Sequence, residues 1–129
     1  YVSFLNRCDY CFEHHFAGMV RLLSDEPRSG SIRTAIQAER PENVFEGWQL
    51  AAMLYAKALT RDPASMHEGL IETLRDAGMD DGKILEVNQV VSYFAYANRT
   101  VLGLGVNIDG DLLGLSPRDN ADPKNWSHS

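Results

Sequence analysis

The chain has 129 residues, 44% of them hydrophobic and 23% charged, with a net charge of −6. This length fits one domain, and the composition fits a folded globular chain rather than a disordered one. The acidic balance argues against nucleic acid or an anionic membrane as partner, and the longest apolar run, Leu50 to Ala56, is too short to span a bilayer.

From Val2 to Leu23, steps of three and four between apolar residues predict one amphipathic helix. The stretch Ser24 to Gly30 has turn chemistry, and Ser31 to Glu39 is a short helix candidate stopped before Pro41. A further helix is expected from Glu46 to Arg61, terminated by Asp62-Pro63. Ser65 is placed to cap a helix through Ala77, with Glu68 as capping-box partner and Gly78 as its stop. Asp80 is placed to cap a long last helix that runs to Leu102 and stops at Gly103-Leu104-Gly105. No segment alternates as a strand would. The predicted fold class is all-α, a helical bundle of about five helices. Residues 1–106 form the predicted core, and 107–129 a Gly-, Asp-, Pro- and Ser-rich tail that wraps a surface or a neighbouring subunit.

The chain opens at Tyr1 without an initiator Met, a signal-peptide pattern is absent, and helical patterning is already running. The expectation is a piece of a longer chain whose upstream part carries some of the core and some of the site. Its two cysteines, Cys8 and Cys11, are too few and too close for a secreted disulfide scaffold. Their usage points to a reducing, cytoplasmic setting and to a reactive or metal-binding pair.

The chemistry concentrates in Arg7-Cys8-Asp9-Tyr10-Cys11-Phe12-Glu13-His14-His15. On a continuous helix with Cys8 at zero, Cys11 falls at about −60° and His15 at about −20°, whereas His14 falls at about −120°. Cys8, Cys11 and His15 then share one stripe, with the His15 imidazole leaning back over Cys11. An imidazole beside a thiol can take its proton or pair with the thiolate, and a second cysteine can resolve a sulfenic acid. Cys11 is the expected attacking sulfur and Cys8 the resolving one. The assignment reverses if a backbone kink puts Cys8 at a helix N-terminus. Thiolate formation at Cys11 is expected to begin below the ordinary cysteine range, and a Cys8–Cys11 disulfide to strain the helix.

Other readings of the same residues are structural. The cysteines can serve as small buried hydrophobes, or join His15 and one of His14, His67 or His128 around zinc. His14 is expected to flank the site, and Tyr10 to pack beside it or donate a hydrogen bond. Trp48, Tyr55, Phe94 and Tyr96 read as core or subunit interface, and Arg99, if buried, needs a carboxylate such as Glu86.

Cys8, Tyr10, Cys11, His14 and His15 form a Cys-x-Tyr-Cys-x-x-His-His pattern. With Tyr55-Ala56-Lys57-Ala58-Leu59-Thr60-Arg61-Asp62-Pro63, Tyr93 to Arg99 and Gly103-Leu104-Gly105-Val106, it resembles the peroxidase-related branch of the alkylhydroperoxidase D-like / carboxymuconolactone decarboxylase family over roughly Val2 to Val106. The resemblance implies an all-α homo-oligomer lacking the family's N-terminal helices, and thiol-dependent reduction of a hydroperoxide. It implies Cys11 as the attacking sulfur, Cys8 as the resolving sulfur and His15 in the proton relay. The family's relay glutamate would precede Tyr1. The implied partners are a hydroperoxide and a dithiol protein or lipoyl-like donor. The sequence shows no haem, flavin or nucleotide motif, so no cofactor is expected, and no resident metal. A non-redox decarboxylase-like lyase or a binding protein of the same fold is the alternative, and a zinc-stabilised interaction module is a third reading.

Overall fold

The computed structural model describes residues 1–114. The described residues contain six α-helices and two 3₁₀ turns, with no strand among them. In chain order the helices are α1 (Val2–Leu5), α2 (Asp9–Leu23), α3 (Glu26–Gln37), α4 (Gly47–Arg61), α5 (Glu68–Asp76) and α6 (Asp81–Gly103). The all-α bundle predicted from periodicity is therefore the observed architecture.

The largest departure lies at the start. The expected single helix from Val2 to Leu23 is two helices, broken at Asn6-Arg7-Cys8. Arg7 takes a left-handed backbone conformation, φ 57°. Its N–H donates to the Phe4 carbonyl at 3.0 Å, and the Cys8 N–H reaches back to the Ser3 carbonyl at 2.9 Å. Those two bonds are a Schellman closure of α1. They leave Cys8 outside both helices, as the N-cap of α2. The apolar spacing continues across the break, so periodicity does not reveal it. A left-handed arginine costs about 1–2 kcal/mol, an expense set against the docking of both short segments.

Elsewhere the boundaries move for local reasons. The expected turn from Ser24 to Gly30 and the helix from Ser31 to Glu39 are one helix, α3. Asp25 caps it by accepting from the Arg28 N–H at 2.9 Å, and Pro27 sits in the first turn, where its missing N–H costs nothing. Ser65 does not cap α5. It closes the 3₁₀ turn Pro63–Ser65 and hydrogen-bonds Asp62, and His67 occupies the N-cap. Asp80 caps α6 as expected, accepting from the Lys83 N–H at 2.8 Å.

Three apolar clusters hold the bundle. Tyr55, Leu74, Met79 and Ile84 join α4, α5 and α6. Val2, Ala56 and Val91 join α1, α4 and α6. Phe12, Ile32 and Ile36 join α2 to α3, reinforced by a forked Arg33–Glu13 pair whose guanidinium lies 5.0 Å from the Phe12 ring centre and 4.7 Å from that of Phe16. Of the four aromatics assigned to core or interface, Tyr55 is buried and Phe94 half-buried, whereas Trp48 and Tyr96 are exposed. Arg99 is exposed too, donating to the Ala95 carbonyl of its own helix.

Residues 107–114 lie against α2. Asp111 meets His14, Arg21 donates to the Gly114 carbonyl, and a Cβ on Gly114 would come within 2.8 Å of the Ala17 Cβ and the Gly18 nitrogen. Only glycine permits that approach. The rest of the tail, including His128, lies outside the described residues. No helix among the described residues is long and apolar enough to cross a membrane.

Candidate functional site

The break after α1 brings both cysteines to the first turn of α2. Cys8 caps the helix and Cys11 is its third residue. Both are free thiols, 1% and 6% exposed. Their side chains are within hydrogen-bonding reach of each other. The expected strain on disulfide formation assumed both residues on one regular helix, and Cys8 lies outside it.

The surroundings of the pair come from three elements. Asn98 of α6 is fully buried and reaches the Cys11 sulfur with its side chain. Its Oδ1 accepts from the Asn6 Nδ2 at 3.0 Å, and its Nδ2 donates to the Ser3 Oγ at 3.0 Å. Ser3 is itself buried. The end of α1, the start of α2 and the last third of α6 thus meet around one amide, in a network whose amide groups are paired as burial demands.

Burial pushes the Cys11 thiol up to about 11, and its hydrogen bond to Cys8 and the Cys8 charge push the same way, while Asn98 opposes them. The expectation of an early-ionising Cys11 is thus reversed in the reduced, closed form. The helical-wheel argument placed an imidazole beside the sulfur, but it could not include the desolvation of a nearly inaccessible thiol. A consequence for stability follows. The folded value lies above the ordinary 9.0, so the folded chain binds more protons between those two values. The contribution is complete below pH 9 and is lost as pH rises through about 11. Urea denaturation at pH 8 and pH 10.5 should show a fall of order 1–2 kcal/mol that is missing from Cys11→Ser. An equal fall in both proteins would refute it.

His15 is exposed, with its ring edge-on to Phe94 at 4.7 Å between centres. Desolvation, then the neighbouring His14, push its imidazole below the ordinary value, which keeps it neutral near pH 7. The groups acting on the Cys11 sulfur are Cys8 and Asn98, while His15 engages Phe94. His14 and Tyr10 form a separate cluster on the flank. The His14 Nε2 lies 3.3 Å from the Asp111 Oδ2, its ring lies 4.5 Å from that of Tyr10, and Tyr10 also hydrogen-bonds Asp111. Burial first, and then the Asp111 carboxylate, raise the Tyr10 phenol. Among the described residues, no group of three His, Cys, Asp or Glu side chains is arranged to hold a metal ion. His67 is the N-cap of α5.

Asn98, Ser3, Asn6 and Asp111 are absent from the residues picked out by sequence motif. A signal for Asn98 does exist. The buried residues of α6 are Ile84, Val91 and Asn98, a strict interval of seven, which marks a polar residue in the buried phase of an apolar helix. Ser3, Asn6 and Asp111 carry no such mark.

Fold and site together define an all-α helical bundle with a buried Cys-x-x-Cys pair at a helix N-terminus. No family model matches the chain, and no curated protein matches it.

Proposed function

We propose that Cys8 and Cys11 are the redox centre of a thiol-dependent hydroperoxide reductase, as the resemblance to the alkylhydroperoxidase D-like family implies. The observation that carries this reading is the contact between two free, buried thiols across the first turn of α2. Cys8 does stand at the N-terminus of α2, the placement that favours the reverse assignment. Cys11 is the less buried of the two and keeps the attacking role: it loses its proton and attacks the terminal oxygen of the hydroperoxide. The O–O bond breaks, the alkoxide takes up a proton and leaves as an alcohol, and Cys11 becomes a sulfenic acid. The Cys8 sulfur then displaces that hydroxyl as water and forms the Cys8–Cys11 disulfide. A dithiol donor returns two electrons and two protons by exchange. His15 is neutral near pH 7 and one helical turn from Cys11, so it is the base that passes the first proton to solvent.

Burial fits this cycle. It keeps Cys11 protonated at neutral pH, so the first step requires the hydroperoxide to gain access to that sulfur. The test is a thiol count on fully reduced protein at pH 8, before and after one equivalent of an organic hydroperoxide. Two thiols should disappear as one alcohol forms, and a dithiol should restore both. Two thiols that persist beside unconsumed peroxide would exclude the reading and favour a non-redox protein of the same fold.

A further inference from the structure

The longest helix, α6, is poor in charge on both of its sides. Its buried side carries Ile84, Val91 and Asn98. With Tyr93 set at zero on the helical wheel, those three fall at about 140–180°. Glu86, Gln89, Val90, Tyr96, Ala97 and Thr100 fall within about 60° of zero, on the opposite side. That side faces solvent: Tyr93 is 61% exposed and Tyr96 69%. Between Val87 and Gly103 the one charged residue is Arg99, which lies off this face at about −120° and donates to the Ala95 carbonyl. A solvent-facing helix side ordinarily carries charged residues, and 23% of this chain is charged. A surface rich in tyrosine and depleted of charge has the composition of an interface core.

The face also has relief and extent. Glu86, Gln89, Val90, Tyr93 and Phe94 line an open groove along it. Leu85 and Leu104, both exposed, lengthen it toward the two ends of α6. The exposed parts of Leu85, Val90, Tyr93, Tyr96 and Leu104 come to roughly 600 Å², at the top of the range for the largest apolar patch of a monomer. That is close to the ~800 Å² each partner contributes to a standard interface.

We propose that a second copy of this chain docks on this face, α6 against α6 about a two-fold axis. Charge selects a copy. Two chains of −6 repel over much of their surface, and a face without charge at its centre lets them meet with no like charges in contact. Shape and chemistry select it too, because a two-fold contact must be self-complementary. The Tyr93 ring is the projection, and the small Ala97 one turn along is the recess. An antiparallel pairing sets Tyr93 of each copy over Ala97 of the other. Tyrosine hydroxyls and the Gln89 amide each donate and accept, so they can bond to their own kind. Phe94 walls the groove and packs edge-on against His15 at 4.7 Å, so the docked copy borders the candidate site. The contact is independent of any redox role of the cysteines.

Sedimentation velocity on the full chain between about 1 and 100 μM tests it, since the populated mass of an associating protein follows concentration. A species of twice 14.4 kDa should grow with concentration. Tyr93→Glu and Tyr96→Glu each put facing carboxylates into the contact and should weaken association at least about 100-fold. Leu22→Glu, at a site on α2 that is 90% exposed, should leave it unchanged. Circular dichroism checks the fold of each variant, and if Tyr93→Glu does not fold, Tyr96→Glu decides. A wild-type monomer at every concentration would overturn the proposal. So would a dimer that survives both tyrosine substitutions, because another surface would then hold it. An assembly of three or more copies that Tyr93→Glu dissolves would overturn the two-fold arrangement.

Discussion

Cys11→Ser is expected to lose hydroperoxide reduction by at least about 100-fold, since a hydroxyl in place of the attacking sulfur leaves no comparable nucleophile. Cys8→Ser is expected to react once and then stop. Its Cys11 would carry one added oxygen, with no neighbouring thiol to displace it, and would proceed to the sulfinic acid under excess peroxide. Mass spectrometry after one equivalent separates the two. The comparison is informative because the structure places Cys8, and not Cys11, at the cap of α2, so the two sulfurs stand in different surroundings. If Cys8→Ser gains no oxygen while Cys11→Ser is oxidised at Cys8, the roles are exchanged. Inert wild-type protein would end the peroxidase proposal altogether.

Leu74→Ala is expected to cost about 3 kcal/mol and to lower Tm by about 10 °C or more. Leu74 is 1% exposed and fills the space between Tyr55, Met79 and Ile84, where α4, α5 and α6 meet. Truncation removes three carbons from a site with walls on three helices, so collapse can recover little of the cavity. The cluster is separate from the hydrogen bonds that join Asn98 to Ser3 and Asn6, so thiol reactivity of the folded fraction should be unchanged. Urea denaturation measures the loss, and a change below about 1 kcal/mol would mean that the site relaxes to fill the void.

The candidate site was legible in part. The spacing of Cys8 and Cys11 marked them as a pair, and the structure finds them in contact. The spacing also suggested His15 on their stripe; the break at residues 6–8 takes Cys8 off that stripe, while Cys11 and His15 stay one turn apart on α2. The break has no glycine or proline to announce it. Gly78 and Gly105, at φ 90° and 66°, end α5 and α6 where a glycine is expected to. Arg7 and Glu39 adopt the same left-handed geometry, at 57° and 54°, in the corresponding closures of α1 and α3. A glycine stop is visible because glycine is the residue that adopts this conformation without steric penalty. An arginine or glutamate stop is invisible because its penalty is offset by contacts distant in sequence. For Glu39 those are ion pairs with Lys57, at 2.9 Å, and Arg61, at 2.7 Å, both on α4.

What the sequence by itself determined is the all-α class, the course of α4 and α6, the Asp80 cap and the Cys-x-x-Cys pairing. Each of these follows from interactions within about one turn of helix, which residue identity and spacing encode directly. What only the tertiary structure decided is the environment of the pair. The two-helix start, the upward push on Cys11 and the amide clasp depend on α6 arriving, some ninety residues later, against the end of α1. Desolvation and hydrogen-bond partnership are properties of that meeting. Local spacing carries no record of it beyond the seven-residue interval that places Asn98 in line with Ile84 and Val91.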